Sequence, residues 1–428
     1  MIKKFTVKNF RSFQNEVTLN LVKSAKKGFE HHTVELPGGT ELLKSVVIYG
    51  ANASGKSNLL LAARAVEFLV LNSADFKPDT DIPPYEPYKL SKQHIQEPIE
   101  INLEFFEGGI QYKYSLSFTG KEVYYEELIF YPHDRPAVLF KRVKDREIIF
   151  GDSYKGSRKP LERMLLPNQL FLSKAAQNNV QSVLPAYRFF SGGLMIHPFF
   201  DQLRESSLSR LYARRLAEKP QSAFAERFNN LICALDTGIQ KVEIKETDWS
   251  EDVFSGALTD TQKQKLKEES KYDIKTRHAF YDKGKLAGET YFDYHEESRG
   301  TQSLFVMAGI ILDALEQGRT LIVDEFEKNL HPDITKYLVN LFHDERMNPL
   351  NAQLIFATHD VTQLSDDRFR RDQVWFVEKD EFGASSLFSA AQIKGFRADA
   401  PMDKWYSSGR LGATPIIDDV DFQIAMEP

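Results

Sequence analysis

Residues 50–57 read Gly-Ala-Asn-Ala-Ser-Gly-Lys-Ser, after the apolar run Ser45-Val46-Val47-Ile48-Tyr49 and before a helical pattern over Asn58–Val70. This is G-x-x-x-x-G-K-[ST] in the strand–loop–helix setting that its chemistry requires. The two glycines let the backbone curl so that successive N–H groups face one anionic centre. The helix that begins at Lys56 adds its positive end. The Lys56 ammonium can reach the β- and γ-phosphates, and the Ser57 hydroxyl can hold Mg²⁺. The octet therefore implies a nucleoside triphosphate, contacted by Gly50, Asn52, Ala53, Ser54, Gly55, Lys56, Ser57 and Asn58.

The loop also demands a partner strand with a carboxylate. Thr320-Leu321-Ile322-Val323-Asp324-Glu325 supplies one. An all-apolar run ending in two acids reads as a buried strand whose carboxyl end faces the phosphates. Asp324 is placed to share Mg²⁺ with Ser57, and Glu325 to orient and polarise the attacking water. A second such strand, Gln353-Leu354-Ile355-Phe356-Ala357-Thr358, ends at His359. Lying beside the Asp324 strand, it would let His359 hydrogen-bond the γ-phosphate. The catalytic set is thus Lys56, Glu325 and His359.

One further element stands upstream: Glu297-Ser298-Arg299-Gly300-Thr301-Gln302, opening a helix over Thr301–Gln317. Ser298 is suited to cap that helix, and Gly300 to permit close backbone approach. A helix N-terminus is an anion site, but one subunit already has its phosphate loop. The economical role for Ser298 and Gly300 is to meet the γ-phosphate held by a second copy.

The strand pattern alternates over Ile2–Phe10 and Val17–Val22, then again over Ile99–Phe106, Ile110–Thr119 and Val123–Phe130, with a Pro- and Asp-rich surface loop at Phe76–Pro87 between them. From Asn168 to Asp236 the period is helical, clearest at Phe199–Leu216 and Ser222–Leu235. Thr247–Lys271 is polar and reads as an exposed loop or short helix. Strands return at Lys241–Lys245, Asp273–Tyr281 and Glu289–Tyr294. A helix at Pro332–His343 and a hairpin of Gln373–Lys379 with Ser385–Phe388 complete the pattern. The expected fold is α/β: a mixed sheet with flanking helices around the phosphate loop, an antiparallel β lobe and a helical insertion. The expected divisions are 1–150 (phosphate loop and β lobe), 151–285 (mainly helical insertion) and 286–428 (the remaining site motifs).

Among the 428 residues the formal net charge is −6. Nucleic-acid binding would therefore need a local basic patch, and Lys23–Lys27 and Arg204–Arg215 are the candidates. The single cysteine, Cys233, excludes a disulfide framework or cysteine zinc site within one chain and reads as a buried, inert thiol. No apolar run approaches the ~18 residues of a membrane span, and a cytoplasmic protein is expected.

Together, Phe5-Thr6-Val7-Lys8-Asn9-Phe10-Arg11-Ser12-Phe13, the phosphate loop and Ser298-x-Gly300, with Gly300 24 residues before Asp324, resemble the ATP-binding-cassette ATPases, in the branch of SMC, RecF and OLD-type proteins. Within that branch the chain resembles the stand-alone ATPases of bacterial anti-phage abortive-infection systems, the RloA/AbiL type. These share the Glu-Ser-x-Gly-Thr form, the Leu330-His331-Pro332 turn, and a terminal pattern seen here as Tyr406 to Pro415. The resemblance covers about residues 1–75 and 290–415. It implies an ABC-type head that dimerises head to tail around ATP and Mg²⁺. Ser298 and Gly300 would be the signature, Asn329–Pro332 the loop crossing the dimer interface, His359 the switch histidine, and Arg11 a basic residue near adenine and phosphates. Glu297, Arg299 and Thr301 depart from the familiar Leu-Ser-Gly-Gly-Gln signature. Gln93 and Gln96 are both candidates for the glutamine loop.

The insertion has no sustained heptad, which excludes a long coiled-coil arm. Only 69 residues follow His359, too few for the nuclease of OLD-type proteins, and the acidic run Asp418–Asp421 reads as a solvated tail. The expected role is a sensor or scaffold. It would control a separately encoded effector, a nuclease or toxin, in response to a phage protein or DNA. A RecF-like DNA-repair ATPase is the alternative. A transporter subunit and a small-molecule kinase fit less well.

Overall fold

The apolar run ahead of the phosphate loop forms a strand buried along its whole length, as a central parallel strand must be. A computed structural model describes residues 1–25, 28–197, 202–235, 237–247, 259, 261, 271–365, 367–396 and 401–415. These fall into two compact units. One comprises Met1–Pro198, Gln317–Phe326 and Val339–Pro428, and the other Phe199–Glu316 and Glu327–Leu338.

In the first unit the chain runs through β1 (Ile2–Lys8), β2 (Val17–Asn20), the hairpin β3 (Thr33–Leu36) and β4 (Thr40–Leu43), then β5 (Ser45–Tyr49) and α1 (Lys56–Asn72). An antiparallel series follows: β6 (Ile99–Glu107), β7 (Ile110–Phe118), β8 (Val123–Tyr131), β9 (Ala137–Val143) and β10 (Ile149–Phe150). Three short helices, α2 (Lys159–Arg163), α3 (Phe171–Gln177) and α4 (Leu184–Arg188), lead to β11 (Leu194–His197).

The second unit holds α5 (Gln202–Glu218), α6 (Ala223–Ala234), β12 (Ile239–Glu246), β13 (Tyr272–Asp282), β14 (Lys285–Asp293) and most of α7 (Arg299–Gln317). The chain then gives β15 (Thr320–Val323), α8 (Pro332–His343), β16 (Gln353–Ala357), β17 (Val374–Lys379), β18 (Ser385–Ser389) and α9 (Met402–Ser407).

The phosphate-loop strand lies inside a six-stranded sheet of order β11-β15-β16-β5-β17-β18, parallel except for β18. Its partners β15 and β16 are buried throughout. Val323 stands opposite Phe356, and Ala357 opposite Ile48, so β15, β16 and β5 end along one edge. A seven-stranded antiparallel sheet, β10-β9-β8-β7-β6-β1-β2, forms the lobe. Its β6 alternates buried and half-exposed residues, as a sheet with one wet face does. Helix α1 contributes Leu59, Leu60, Val66, Leu69 and Val70 to the cluster shared by both sheets, with Phe5, Phe105 and Phe140 from the lobe and Ile48 and Ile355 from the parallel sheet. The fold class is α/β, as expected.

One sequence expectation needs correction, the burial of Cys233, and one segment gains strands. Within 151–285, beside the helices α2 to α6, β11 joins the parallel sheet next to β15, and β12 and β13 pair with β14 in a three-stranded antiparallel sheet. The compact units meet along the chain near residues 198, 316, 326 and 338. Strand β11 is four residues long and follows a helical run directly, so its apolar Leu-Met-Ile reads as helix continuation despite the helix-stopping Gly192-Gly193. Cys233 is exposed, not buried. Helix α6 turns Phe224, Phe228, Leu231 and Ile232 inward, and position 233 falls on the opposite side. The polar stretch from Thr247 to Lys271 and the acidic run 418–421 lie almost wholly outside the described residues. Among the described residues no helix is long and apolar enough to cross a membrane.

At the amino end of β5, away from the phosphate loop, two imidazoles stack with ring centroids 3.6 Å apart, His32 on His343. His343 Nε2 lies 2.7 Å from the Ser45 hydroxyl, and His32 Nδ1 lies 2.9 Å from Gln373 Oε1. Burial pushes the His32 imidazole down to about 4; the Gln373 bond opposes this, while His31, Arg370 and Lys44 reinforce it. His32 thus stays neutral in the fold over a range where the unfolded chain takes up a proton. Stability is expected to fall as pH drops from about 6.5 to about 4, by up to about 3 kcal/mol from this group. Urea midpoints at about pH 7.5 and about pH 5, compared between wild type and His32→Gln, measure it. Equal pH dependence in the two proteins would remove His32 from the account.

Candidate functional site

The loop 50–55 and the first turn of α1 hold the residues expected to bind phosphate. Gly55 adopts φ 119°, and a Cβ there would lie 2.6 Å from Ser385 Oγ and 2.7 Å from Ser12 Oγ. No side chain fits, so only glycine allows the loop to close onto these two serines. Asn52 and Ala53 form the exposed tip, with Ala53 at φ 61°. Lys56 is 6% exposed, and its Nζ donates to the carbonyls of Gly50 (2.8 Å) and Ala51 (3.1 Å). A buried ammonium held by weak carbonyl acceptors at the mouth of an amide-lined loop suits a phosphate oxygen better than its present partners. Among the described residues the buried Ser54 hydroxyl has no hydrogen-bond partner, a polar atom left open to a ligand.

Ser57 and Asp324 meet. The Ser57 hydroxyl donates to the Asp324 carboxylate, as does the backbone N–H of Glu325 at 3.1 Å. Burial pushes the Asp324 carboxyl up, with these hydrogen bonds and Lys56 opposing. A hydroxyl and a carboxylate are hard oxygen donors of the kind Mg²⁺ takes, usually in company with waters and phosphate. The residues present therefore fit both ATP and Mg²⁺. Glu325 follows at φ 48°, an uncommon conformation for a non-glycine residue, and is exposed. The Phe326 N–H is anchored to Ala357 O on β16 (3.2 Å), which turns the chain sharply after the two acids.

His359 stands at the end of β16 and is exposed. Its flanks are pinned: the Thr358 N–H donates to Ile48 O (3.1 Å), and Asp360 caps the next turn through Thr362 N–H (2.9 Å). Tyr49, the last residue of β5, donates its hydroxyl to Asp360 O (3.2 Å). The carboxyl ends of three neighbouring strands thus bring Lys56, Ser57, Asp324, Glu325 and His359 to one edge of one sheet.

Arg11 reaches the same edge from the lobe. It sits at φ 51° in a tight turn closed by reciprocal backbone bonds between Phe10 and Phe13, both buried. Its guanidinium pairs with Glu86 and lies 3.4 Å from Asn58 Oδ1, and Asn58 Nδ2 donates to Ser12 Oγ (2.8 Å). Sequence reasoning missed Glu86, Ser12 and Ser385 as participants. Ser12 stood inside a motif already singled out. Glu86 sits in a loop that reads as mere surface, and Ser385 N–H bonds Ser12 O (2.7 Å) across 373 positions, a pairing without a local signal. Gln93 and Gln96 are both exposed at the 94–97 turn that binds Asn9, and Gln93 Nε2 donates to Glu97 Oε1 (2.7 Å). The terminal pattern docks at this edge as well. Tyr406 stacks on Phe376 (5.6 Å) and contacts Tyr49 (5.7 Å), while Ala413 N–H donates to Glu378 (3.1 Å).

Ser298 and Gly300 belong to the second unit. Ser298 is exposed and caps α7, its Oγ accepting the Thr301 N–H at 3.1 Å. A Cβ on Gly300 would lie 2.9 Å from Asn329 O, and Asn329 Nδ2 donates to Ser303 Oγ (3.2 Å), so the 329–332 turn lies against this helix start. The basic run on α5 is largely committed: Arg214 pairs with Glu218, and Arg215 with Asp313 and Glu316. Lys23 pairs with Glu30 and Glu41, and Lys26 and Lys27 lie outside the described residues.

A family model described as "AAA domain, putative AbiEii toxin, Type IV TA system" matches residues 45–366, well over half of the chain. No curated protein matches it. Solved structures with partial likeness include the SMC head bound to the C-winged helix domain of ScpA, at 14% identity over 91% of this chain and 97% of that one (TM-score 0.44). The SMC head domain from Thermotoga maritima matches at 16% over 91% and 98% (TM-score 0.38). An Smc head with an extended coiled coil, bound to the C-terminal domain of ScpA and derived from Pyrococcus furiosus, matches at 13% over 96% and 98% (TM-score 0.41).

Proposed function

We propose, from the premise that the chain belongs to the AAA domain family of that model, that it is an ABC-type ATPase working as a pair of copies closed around ATP. The observation that carries this is the convergence of Lys56, Ser57, Asp324, Glu325 and His359 on one sheet edge, while Ser298 stands exposed at the head of α7.

In this reading the Lys56 ammonium exchanges the Gly50 and Ala51 carbonyls for the β- and γ-phosphate oxygens. Ser57 and Asp324 would hold Mg²⁺, which would supply positive charge against those phosphates. Glu325 accepts a proton from the attacking water and aims it in line. His359 donates to the γ-phosphate, and Arg11, steadied by Glu86, faces the nucleotide beside Asn58. Ser298 and Gly300 of a second copy complete the cage. ATP contacted by both copies favours the closed pair over the open one, and hydrolysis removes that preference.

The coupled task we propose is defence against phage. The closed and open states would gate a separately encoded effector, a nuclease or toxin, on a trigger that is a phage protein or DNA. The second unit is the natural place for those contacts.

Ser298→Arg tests the shared site. A bulky cation at the exposed helix start is expected to weaken ATP-dependent association at least about 100-fold while a single copy still binds nucleotide. Light scattering against protein concentration, with and without ATP, reads the first; fluorescent-nucleotide titration reads the second. Association that survives Ser298→Arg overturns the two-copy site.

A further inference from the structure

The residue before the signature serine is no loose loop position. The Glu297 side chain is only 8% exposed, and its Oε1 accepts the Thr276 hydroxyl and lies 2.7 Å from His278 Nε2. Thr276 and His278 are alternate residues of β13, hence on one face of the three-stranded sheet. The His278 ring in turn rests against Phe292 of β14, centroids 4.7 Å apart. On the other side, Glu297 O accepts Gln302 Nε2 (2.8 Å), and the Tyr294 hydroxyl donates to Gln302 O (3.1 Å). The carboxylate thus joins the start of α7 to the sheet, one residue ahead of Ser298.

Capping does not require this. Ser298 already satisfies the Thr301 N–H, and a charged side chain withdrawn from water is costly unless every lone pair is used. A buried carboxylate gripping two residues of one strand is what fixes a direction. We infer that Glu297 is a positioning residue: clamped by Thr276 and His278, it holds Ser298 in the orientation in which its hydroxyl meets the γ-phosphate carried by a second copy. This rests on the two-copy reading given above. Misplacement of a contacting group by about 1 Å can cost about 100-fold in rate, so a clamp on the neighbouring residue acts on turnover and on closure of the pair, not on nucleotide capture by one copy.

The test uses the purified full chain. Glu297→Ala is expected to lower kcat at least about tenfold with KM for ATP within about twofold, a split that general loosening of the fold would not give. In a Glu325→Gln background it is expected to weaken ATP-dependent association about tenfold. Glu297→Gln keeps an acceptor oxygen at the same place and is expected to recover kcat to within about threefold of wild type. Thr276→Val, which removes one of the two grips and keeps the β-branched shape, serves if Glu297→Ala does not fold, with kcat reduced several-fold and KM unchanged. Wild-type kcat and association in both Glu297→Ala and Thr276→Val overturn the inference, as does Glu297→Gln as impaired as Glu297→Ala. Ser298→Arg that still associates with ATP sinks the two-copy reading itself. Ser298→Arg that fails to associate, beside a Glu297→Ala that turns over normally, sinks only the positioning role.

Discussion

Lys56→Ala is expected to lower ATP affinity at least about 100-fold, close to abolition in a titration. The ammonium is almost fully buried and donates to the Gly50 and Ala51 carbonyls of the loop. Its removal leaves those carbonyls directed at the triphosphate, so an attraction is replaced by repulsion in a poorly solvated pocket. The neighbouring amides and the α1 dipole remain, but each contributes far less than a full charge. Fluorescent-nucleotide titration or calorimetry measures the change, and thermal unfolding confirms that the variant is folded. An unchanged affinity would refute the assignment of 50–57 as the triphosphate site.

Glu325→Gln is the second large effect. Amide for carboxylate preserves size and removes the proposed base, and loss of a general base typically costs about 10²–10⁴ in rate. Binding should persist because Lys56, Ser57 and Asp324 are intact. On the proposed two-copy reading the closed pair should accumulate, since its exit through hydrolysis would be blocked and one negative charge near the γ-phosphate would be gone. Single-turnover hydrolysis and ATP-dependent light scattering read the two effects separately. Glu325 is held at φ 48° by the bond between Phe326 N–H and Ala357 O, a backbone that glutamine adopts as readily as glutamate. The substitution therefore isolates chemistry from geometry. Normal turnover would place the base on another residue.

The parts legible in the sequence are those whose signal is local. Ser45–Tyr49, Thr320–Val323 and Pro332–His343 have the ends read from the sequence, and the helix at Lys56 its start, because each is marked by a glycine, a proline or a pair of acids. Fully apolar runs announced the parallel strands, and the pairing of β15 with β16 followed from their shared composition. What stayed hidden depends on distant partners. β11 is too short to show a period, and the sheet of β12, β13 and β14 is interrupted by a polar stretch that masked its unity. Cys233 misled because an apolar neighbourhood in sequence is not a buried face on a helix. The Glu86–Arg11 pair and the Ser12–Ser385 contact join positions tens to hundreds of residues apart, and residue types alone carry no trace of them.

Strand β5 hydrogen-bonds to β16 on one flank and β17 on the other, both of which lie about 300 residues downstream. At a ribosomal pace of about 5–20 residues per second, the nascent chain carries this bare hydrophobic ribbon for tens of seconds before its neighbours emerge. Only the antiparallel lobe and α1 are on hand to shelter it meanwhile. Biogenesis, more than the finished molecule's energetics, is thus where this topology is exposed to aggregation, and a holding chaperone or a slow codon tract would act on that interval.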